Sequence, residues 1–165
     1  ILTLLMRTGM RETALIEINL SDISFIENDL KVIDKRHKVH HYYLSESTKE
    51  VLRKWIFVRK EILNNTEDVD ALFISNRKVR MTADSVINIV KKYSEEALGY
   101  AISPHKLRAA FCTILYDETH DIEFVREAVG HSSVTVTQRY IVKDNSEIKK
   151  AARMIEELIG GENNV

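Results

Sequence analysis

Ser103-Pro104-His105-Lys106-Leu107-Arg108-Ala109-Ala110-Phe111-Cys112, followed further on by Val129-Gly130-His131-Ser132-Ser133, is the stretch on which the reading of this chain turns. Pro104 is the only proline in the sequence and suits the first turn of a helix, where its missing N–H would have no intrahelical partner. The pattern predicts a helix from there to about Thr119, with Leu107, Phe111, Ile114 and Leu115 as its core stripe. His105 and Arg108 stand three apart, so their side chains leave one face of that helix while Leu107 and Phe111 occupy the other. An imidazole beside a guanidinium repels it when both are charged, unless an anion sits between them or the histidine stays neutral. The pair therefore suits a phosphate; read alone, it is more readily a solvated polar face. Ile122–Val129 reads as a further helix ended by Gly130, which sets His131 on the turn behind it.

Working towards the N-terminus, Thr8-Gly9 breaks an apolar run, and Arg11–Ile18 reads as a short helix with Leu15 and Ile18 inward. Arg11 falls in its first turn, where a cation opposes the helix dipole. Three strand-like runs follow, Ile23–Phe25, Leu30–Ile33 and Val39–Leu44. Glu27-Asn28-Asp29 supplies turn residues to the first hairpin, and a basic loop, Asp34–Lys38, joins the second run to the third. Ser47–Leu63 has helical spacing through Val51, Trp55, Val58 and Ile62, and Ser47 with Glu50 forms a capping-box pattern. Residues 64–70 are a polar loop and Leu72-Phe73-Ile74 a short buried segment. Thr82–Leu98 is helical, with Val86, Val90, Tyr93 and Ala97 on one face. Beyond His131, Ser133–Tyr140 reads as a short helix. Ser146–Ile159 is amphipathic through Ile148, Ala152, Ile155 and Ile159, and Gly160-Gly161 ends it. No internal repeat is visible.

Composition narrows the classes. The 165 residues are 44% apolar and 30% charged, the balance of an ordinary soluble domain able to bury a sizeable core. No apolar run reaches the roughly 20 residues of a membrane helix, and no secretion signal is present, so the expected location is cytoplasmic. Ile1 is not an initiator methionine, and Ile1–Met6 reads as the end of an apolar helix already under way, which predicts a fragment of a longer protein. The single cysteine, Cys112, forms no internal disulfide and reads as a small core residue. The net charge of −1 argues against a surface basic throughout. Positive charge is local: Lys31, Lys35, Arg36, Lys38 and three histidines lie between positions 31 and 41 with one acid, Asp34. A metal is not expected. His40 and His41 are adjacent, so a strand points them to opposite faces, and no metal-binding histidine spacing or glycine-rich cofactor loop occurs.

Six side chains in order, Arg11, Lys35, His105, Arg108, His131 and Tyr140, carry a sharper reading. Their contexts are Thr8-Gly9-Met10-Arg11, the basic loop, Ser103-Pro104-His105-Lys106-Leu107-Arg108, Val129-Gly130-His131-Ser132-Ser133 and Thr137-Gln138-Arg139-Tyr140. Tyr140 lies nine residues beyond His131. In that order and at those separations the chain resembles the tyrosine recombinase (phage integrase) family, from residue 1 to about residue 145.

The resemblance implies an α+β fold, mainly helical, with a small three-stranded antiparallel sheet. It implies a catalytic domain over 1–145, and over 146–165 a C-terminal amphipathic helix and tail that can pack into a neighbouring protomer. Family members usually carry a DNA-clamping domain ahead of this point. The implied reaction is cleavage and rejoining of DNA strands through a 3′-phosphotyrosine, as in site-specific recombination, integration and mobile-element transfer. Tyr140 is the implied nucleophile; Arg11, Arg108 and His131 hold the phosphate, Lys35 acts as general acid and His105 assists as acid/base. A tyrosine hydroxyl has a pKa of about 10, so His105 or a phosphate oxygen must take its proton. Arg36 and Lys38 are expected to touch DNA, with Lys38 the rival to Lys35. No metal, nucleotide or other cofactor is expected. The implied partner is a double-stranded attachment or resolution site, bound by a homo-oligomer (a tetramer on DNA), with the chain alone a monomer or dimer.

Two departures from the family pattern stand out. Ala14 occupies a position where many members carry an acid, and Asp34 and Arg36 stand where glycines are usual. Two rivals follow: a tyrosine-type topoisomerase using the same chemistry, and a non-catalytic DNA-binding or assembly module on the same fold.

Overall fold

The computed structural model describes residues 1–33, 38–64 and 69–130. Their elements, in chain order, are helices α1 (Leu2–Thr8) and α2 (Glu12–Glu17), a short 3₁₀ turn (Leu20–Asp22), strands β1 (Ile23–Ser24), β2 (Asp29–Ile33) and β3 (Val39–Tyr43), and helices α3 (Glu46–Leu63), α4 (Ala83–Leu98), α5 (Pro104–Thr119) and α6 (Ile122–Val129). The expected class, mainly helical with a three-stranded antiparallel sheet, is the one observed. The expected helices at Ser133–Tyr140 and Ser146–Ile159 lie outside the described residues. The chain divides into two units, one of Glu12–Val86 (with Ile1) and the other of Leu2–Arg11 with the residues from Ile87 onward.

In the first unit the sheet has the order β1-β2-β3, with both pairings antiparallel. Register places Leu30 opposite Tyr42 and Val32 opposite His40. Leu30 and Val32 are buried while the intervening Lys31 and Ile33 are exposed, the period-two alternation of a sheet with one dry face. His40 and His41 fall on opposite faces, as expected. His41 is exposed and its Nδ1 lies 2.8 Å from Asp29 Oδ2 across the outer face. The first hairpin turns at Asn28, which holds φ +58°, a left-handed conformation that asparagine tolerates better than most L residues. Its carbonyl accepts from Leu44 N at 2.8 Å and its side-chain oxygen from Lys49 Nζ. Lys49 also pairs with Glu46, so the ammonium of this buried lysine is satisfied twice.

Helix α3 corrects two sequence expectations. Its N-cap is Ser45, whose Oγ accepts from Thr48 N, so the helix starts at Glu46 instead of Ser47. Ser47 instead meets Ser45 Oγ at 3.2 Å. The buried face carries Thr48, Lys49, Leu52, Arg59 and Leu63, while Val51 and Val58 of the expected stripe are exposed. Two charged residues take part in that face because their heads find partners. Arg59 Nε donates to Ala71 O at 2.9 Å and its NH2 group to Val69 O. Burial pushes the Arg59 pKa down from its ordinary value, and nearby Asp70 partly opposes this. Trp55 donates to Leu72 O at 2.8 Å and stacks on Phe73. These contacts fix the buried run Leu72-Phe73-Ile74, which the sequence did indicate. Arg80 then ties the end of α2, donating to Ile16 O at 2.6 Å and to Asn19 Oδ1 at 2.5 Å.

In the second unit, α5 packs against both α1 and α6. Helix α5 spans the predicted residues, capped by Ser103 with Pro104 in its first turn. Cys112 is fully buried in a cluster with Val125 and Val129, and Phe111, Leu115 and Tyr116 pack around it. Asp121 caps α6 by accepting from Glu123 N and Phe124 N at 2.9 and 3.0 Å, and Gly130 closes it at φ +66°. Both boundaries of α6 match the sequence reading. Tyr93, on the expected apolar face of α4, and Tyr100 are each half exposed, and in the first unit Tyr43 is 78% exposed.

Candidate active site

Of the six candidate catalytic residues, Arg11, His105 and Arg108 are described, as is Lys38 of the expected DNA contacts. Lys35, Arg36, His131 and Tyr140 lie outside the described residues. Lys38 is exposed where the chain enters β3 of the first unit. The other three belong to the second unit.

Arg108 is the structural hub of that unit. It sits in the second turn of α5 and is only 3% exposed. Its NH1 group donates to the carbonyl of Gly9 and its NH2 group to the carbonyl of Val129, the latter at 2.7 Å. Gly9 precedes Arg11 by two residues and Val129 precedes His131 by two. One guanidinium thus holds the backbone just ahead of both. Lysine could not do this, because the two bonds need the planar fork of guanidinium. The dry surroundings are independently visible at Cys112, one turn further along α5. Burial pushes its thiol pKa from 9.0 up to about 11, although the Arg108 charge pulls the other way. Cys112 is a core thiol, as its sequence setting suggested.

Arg11 occupies a sharply defined corner. Thr8 Oγ1 donates to Leu4 O at 2.6 Å and accepts from Met10 N at 3.2 Å, while Gly9 N donates to Leu5 O at 3.0 Å. Gly9 holds φ +61°, and a β-carbon there would stand 2.4 Å from Cδ1 of the Phe111 ring. Glycine is therefore required twice over, by the backbone angle and by space. Met10 is buried and Arg11 emerges exposed directly before α2. This corrects the expectation that Arg11 lies in the first helical turn. The helix begins at Glu12, whose negative charge suits the N-terminal end of the dipole.

His105 lies in the first turn of α5 and is exposed, in contrast to the buried Arg108 on the same helix. This corrects the expectation of one polar face shared by His105 and Arg108 opposite Leu107 and Phe111: Arg108 is buried, as Leu107 is, and meets Gly9 together with Phe111, while His105 alone of the pair is exposed. The chain approaching α5 is fixed by Ser94, a residue the sequence reading missed. Its buried hydroxyl donates to Lys91 O and accepts from Ile102 N, each at 2.9 Å. Phe111 was recognised as core but not as the partner of Gly9. Among the described residues no group of three or more His, Cys, Asp or Glu side chains is placed to hold a metal ion, and no helix is long and apolar enough to cross a membrane.

A buried, permanently charged guanidinium, an exposed histidine three residues earlier on the same helix and an exposed second arginine two residues beyond the carbonyl it bonds are residue types suited to a phosphodiester. Residues 1–147 match the phage integrase family, and the chain belongs to it. Tyrosine recombinase XerC of Corynebacterium glutamicum is 38% identical over 151 residues, covering 92% of this chain and 48% of the relative. The crystal structure of XerA recombinase superposes with a TM-score of 0.76 at 24% identity, over 98% of this chain and 56% of that one. XerH site-specific recombinase bound to its difH substrate, in a pre-cleavage complex, gives a TM-score of 0.73 at 23% identity over 84% of this chain and 40% of that one. The chain spans about half the length of the relatives it matches.

Proposed function

We propose that this chain is the catalytic part of a tyrosine-type site-specific recombinase, which cuts and rejoins double-stranded DNA at an attachment or resolution site. Arg108 carries the reading: a buried guanidinium whose fork secures the backbone ahead of both Arg11 and His131 belongs to a preassembled anion site. The XerH relative in its substrate complex supports DNA as the anion.

In the proposed reaction the Tyr140 hydroxyl attacks the scissile phosphorus. The new P–O bond to tyrosine forms as the bond to the 5′ oxygen breaks, giving a 3′-phosphotyrosyl link and a free 5′ hydroxyl. The tyrosine proton passes to His105 or a phosphate oxygen, and Lys35 supplies a proton to the leaving oxygen. Arg11, Arg108 and His131 offset the charge that accumulates on the non-bridging oxygens. The phosphotyrosine conserves the energy of the broken bond, so rejoining needs no nucleotide.

The catalytic domain would comprise residues 1–145. Residues 146–165 would dock on their own domain or on a neighbouring protomer, with Arg36 and Lys38 against DNA and a tetramer as the assembly that exchanges strands. A cytoplasmic location fits that substrate.

A nicked suicide duplex carrying the candidate site tests the reading on denaturing gels. The expected result is a covalent protein–DNA band that disappears in Tyr140→Phe. DNA bound without any such band would sink the catalytic reading in favour of a DNA-binding or assembly module.

A further inference from the structure

We infer that Phe111 is a positioning residue for Arg11, acting through Gly9. The catalytic consequence of this inference rests on the function proposed above. The Gly9 corner is the one joint between α1 and Arg11 where the backbone could swing, because glycine populates both signs of φ with little cost. Three contacts close that freedom. The Gly9 amide is tied to Leu5 O, its carbonyl to the Arg108 guanidinium, and its Cα faces the Phe111 ring so closely that even a methyl group would not fit. The first two contacts fix the polar groups of the peptide. The ring stands against the Cα on the side where a β-carbon would lie, and the three nearest atoms there all belong to Phe111. Arg108 and Phe111 are three apart on α5, so one helix face supplies both the tie and the stop. Arg11 follows two residues later, after buried Met10, and its starting point is set by that stop.

Phe111 also packs against the cluster of Cys112, Val125 and Val129, so loss of activity in a Phe111 variant would not by itself separate positioning from stability. A double-mutant cycle with Arg11 does, because residues acting through one another are non-additive. The variants are Phe111→Leu, which keeps most of the apolar volume, Arg11→Gln, and the pair. Leu115→Ala, in the same cluster but away from Gly9, serves as the destabilised control. With the suicide duplex in excess, Phe111→Leu is expected to slow covalent adduct formation about tenfold or more, the scale of a small misplacement of a catalytic group. DNA affinity should change less than about twofold, since the phosphate contacts that dominate it are retained. In the Arg11→Gln background the same substitution should cost almost nothing further, whereas Leu115→Ala should cost the same factor in both backgrounds. Equal slowing by Phe111→Leu with and without Arg11 would overturn the inference.

Amide hydrogen exchange gives a readout independent of cleavage. Phe111→Leu should speed exchange at Gly9 and Met10 about tenfold or more while amides in the middle of α5 keep their protection, as expected of local opening. Unchanged exchange at the corner would overturn the inference even if activity fell. If the unaltered protein forms no adduct, the strand-cleavage reading fails, and the exchange comparison still decides whether Phe111 holds the corner.

Discussion

The guanidinium of Arg108 donates to the carbonyl of Val129 at 2.7 Å, so the second turn of α5 is bonded to the last residue of α6. The same group bonds Gly9 O at the end of α1. Replacing it with lysine keeps the charge but leaves one donor site to serve two carbonyls in different directions. Arg108→Lys is expected to destabilise the protein by about 2–4 kcal/mol, the range for breaking buried, charge-assisted hydrogen bonds. Urea unfolding followed by circular dichroism measures this. A loss no larger than that of a surface arginine would show that the two bonds contribute nothing to the fold.

Gly9→Ala sets steric conflict with the Phe111 ring against backbone strain at φ +61°. The single substitution should cost about 2–4 kcal/mol, combining the overpacking and left-handed penalties. Adding Phe111→Ala removes the clash but creates a cavity and leaves the strain. The pair should therefore be less destabilised than the sum of the two single variants. Thermal unfolding of the four proteins is the measurement; strict additivity would mean that ring and glycine do not meet.

Cys112 gives a pH prediction with a definite sign. Its folded pKa of about 11 lies above its ordinary 9.0, with burial as the main cause. Below pH 9 the thiol is protonated in both states and the full stability is present. Between pH 9 and 11 the unfolded chain loses the proton first, so folded protein binds more protons and stability falls as pH rises. The loss attributable to this thiol approaches about 2–3 kcal/mol at the upper end, at 1.36 kcal/mol per pKa unit. Unfolding free energies for the native protein and Cys112→Ala should diverge in their pH dependence above pH 9 and run parallel below it. The same burial predicts slow labelling of the native thiol by disulfide reagents at pH 8 and rapid labelling in denaturant.

The cap of α3 separates what sequence makes visible from what it hides. Ser45→Ala should cost about 1 kcal/mol and Ser47→Ala clearly less, since Ser45 is the residue that accepts a helix N–H. Equal losses in thermal unfolding would restore the capping box read from Ser47 and Glu50. Ser47 matches the capping-box pattern and Ser45, with Thr48 three residues on, does not; the bond between Asn28 and Lys49, which joins the start of the helix to a distant hairpin, is invisible to that local pattern. The buried face of α3 departs from its apolar spacing for a related reason. Val51 and Val58 offer one apolar stripe and Leu52 and Leu63 another. Arg59 selects the second by bonding Ala71 O and Val69 O, partners a helical period cannot display. By contrast α5 and α6 were legible because Pro104 and Gly130 act on their own backbones. The candidate site was legible as a list of residues in sequence order. Its assembly was not, since Arg108 reaches Gly9 across 99 positions and Val129 across 21.

Ser94 offers the clearest test of how the approach to His105 is held. Its hydroxyl is 4% exposed as a residue, donates to Lys91 O and accepts from Ile102 N, and Ile102 itself is buried. Ser94→Ala removes the acceptor and leaves a buried N–H without its bond, an expected cost of about 1–3 kcal/mol. Alanine has the higher helix propensity, which offsets roughly 0.5 kcal/mol of that. The net loss should therefore be smaller in global unfolding than the local loosening suggests. Hydrogen exchange resolves the two. The Ile102 amide should lose protection by about tenfold or more, with Leu107 in the body of α5 unaffected. Since Ile102 stands three residues before His105, the variant should also lower the rate of adduct formation more than its affinity for DNA. Full protection of Ile102 in Ser94→Ala would mean that the loop is held by Pro104 and the α5 cap alone.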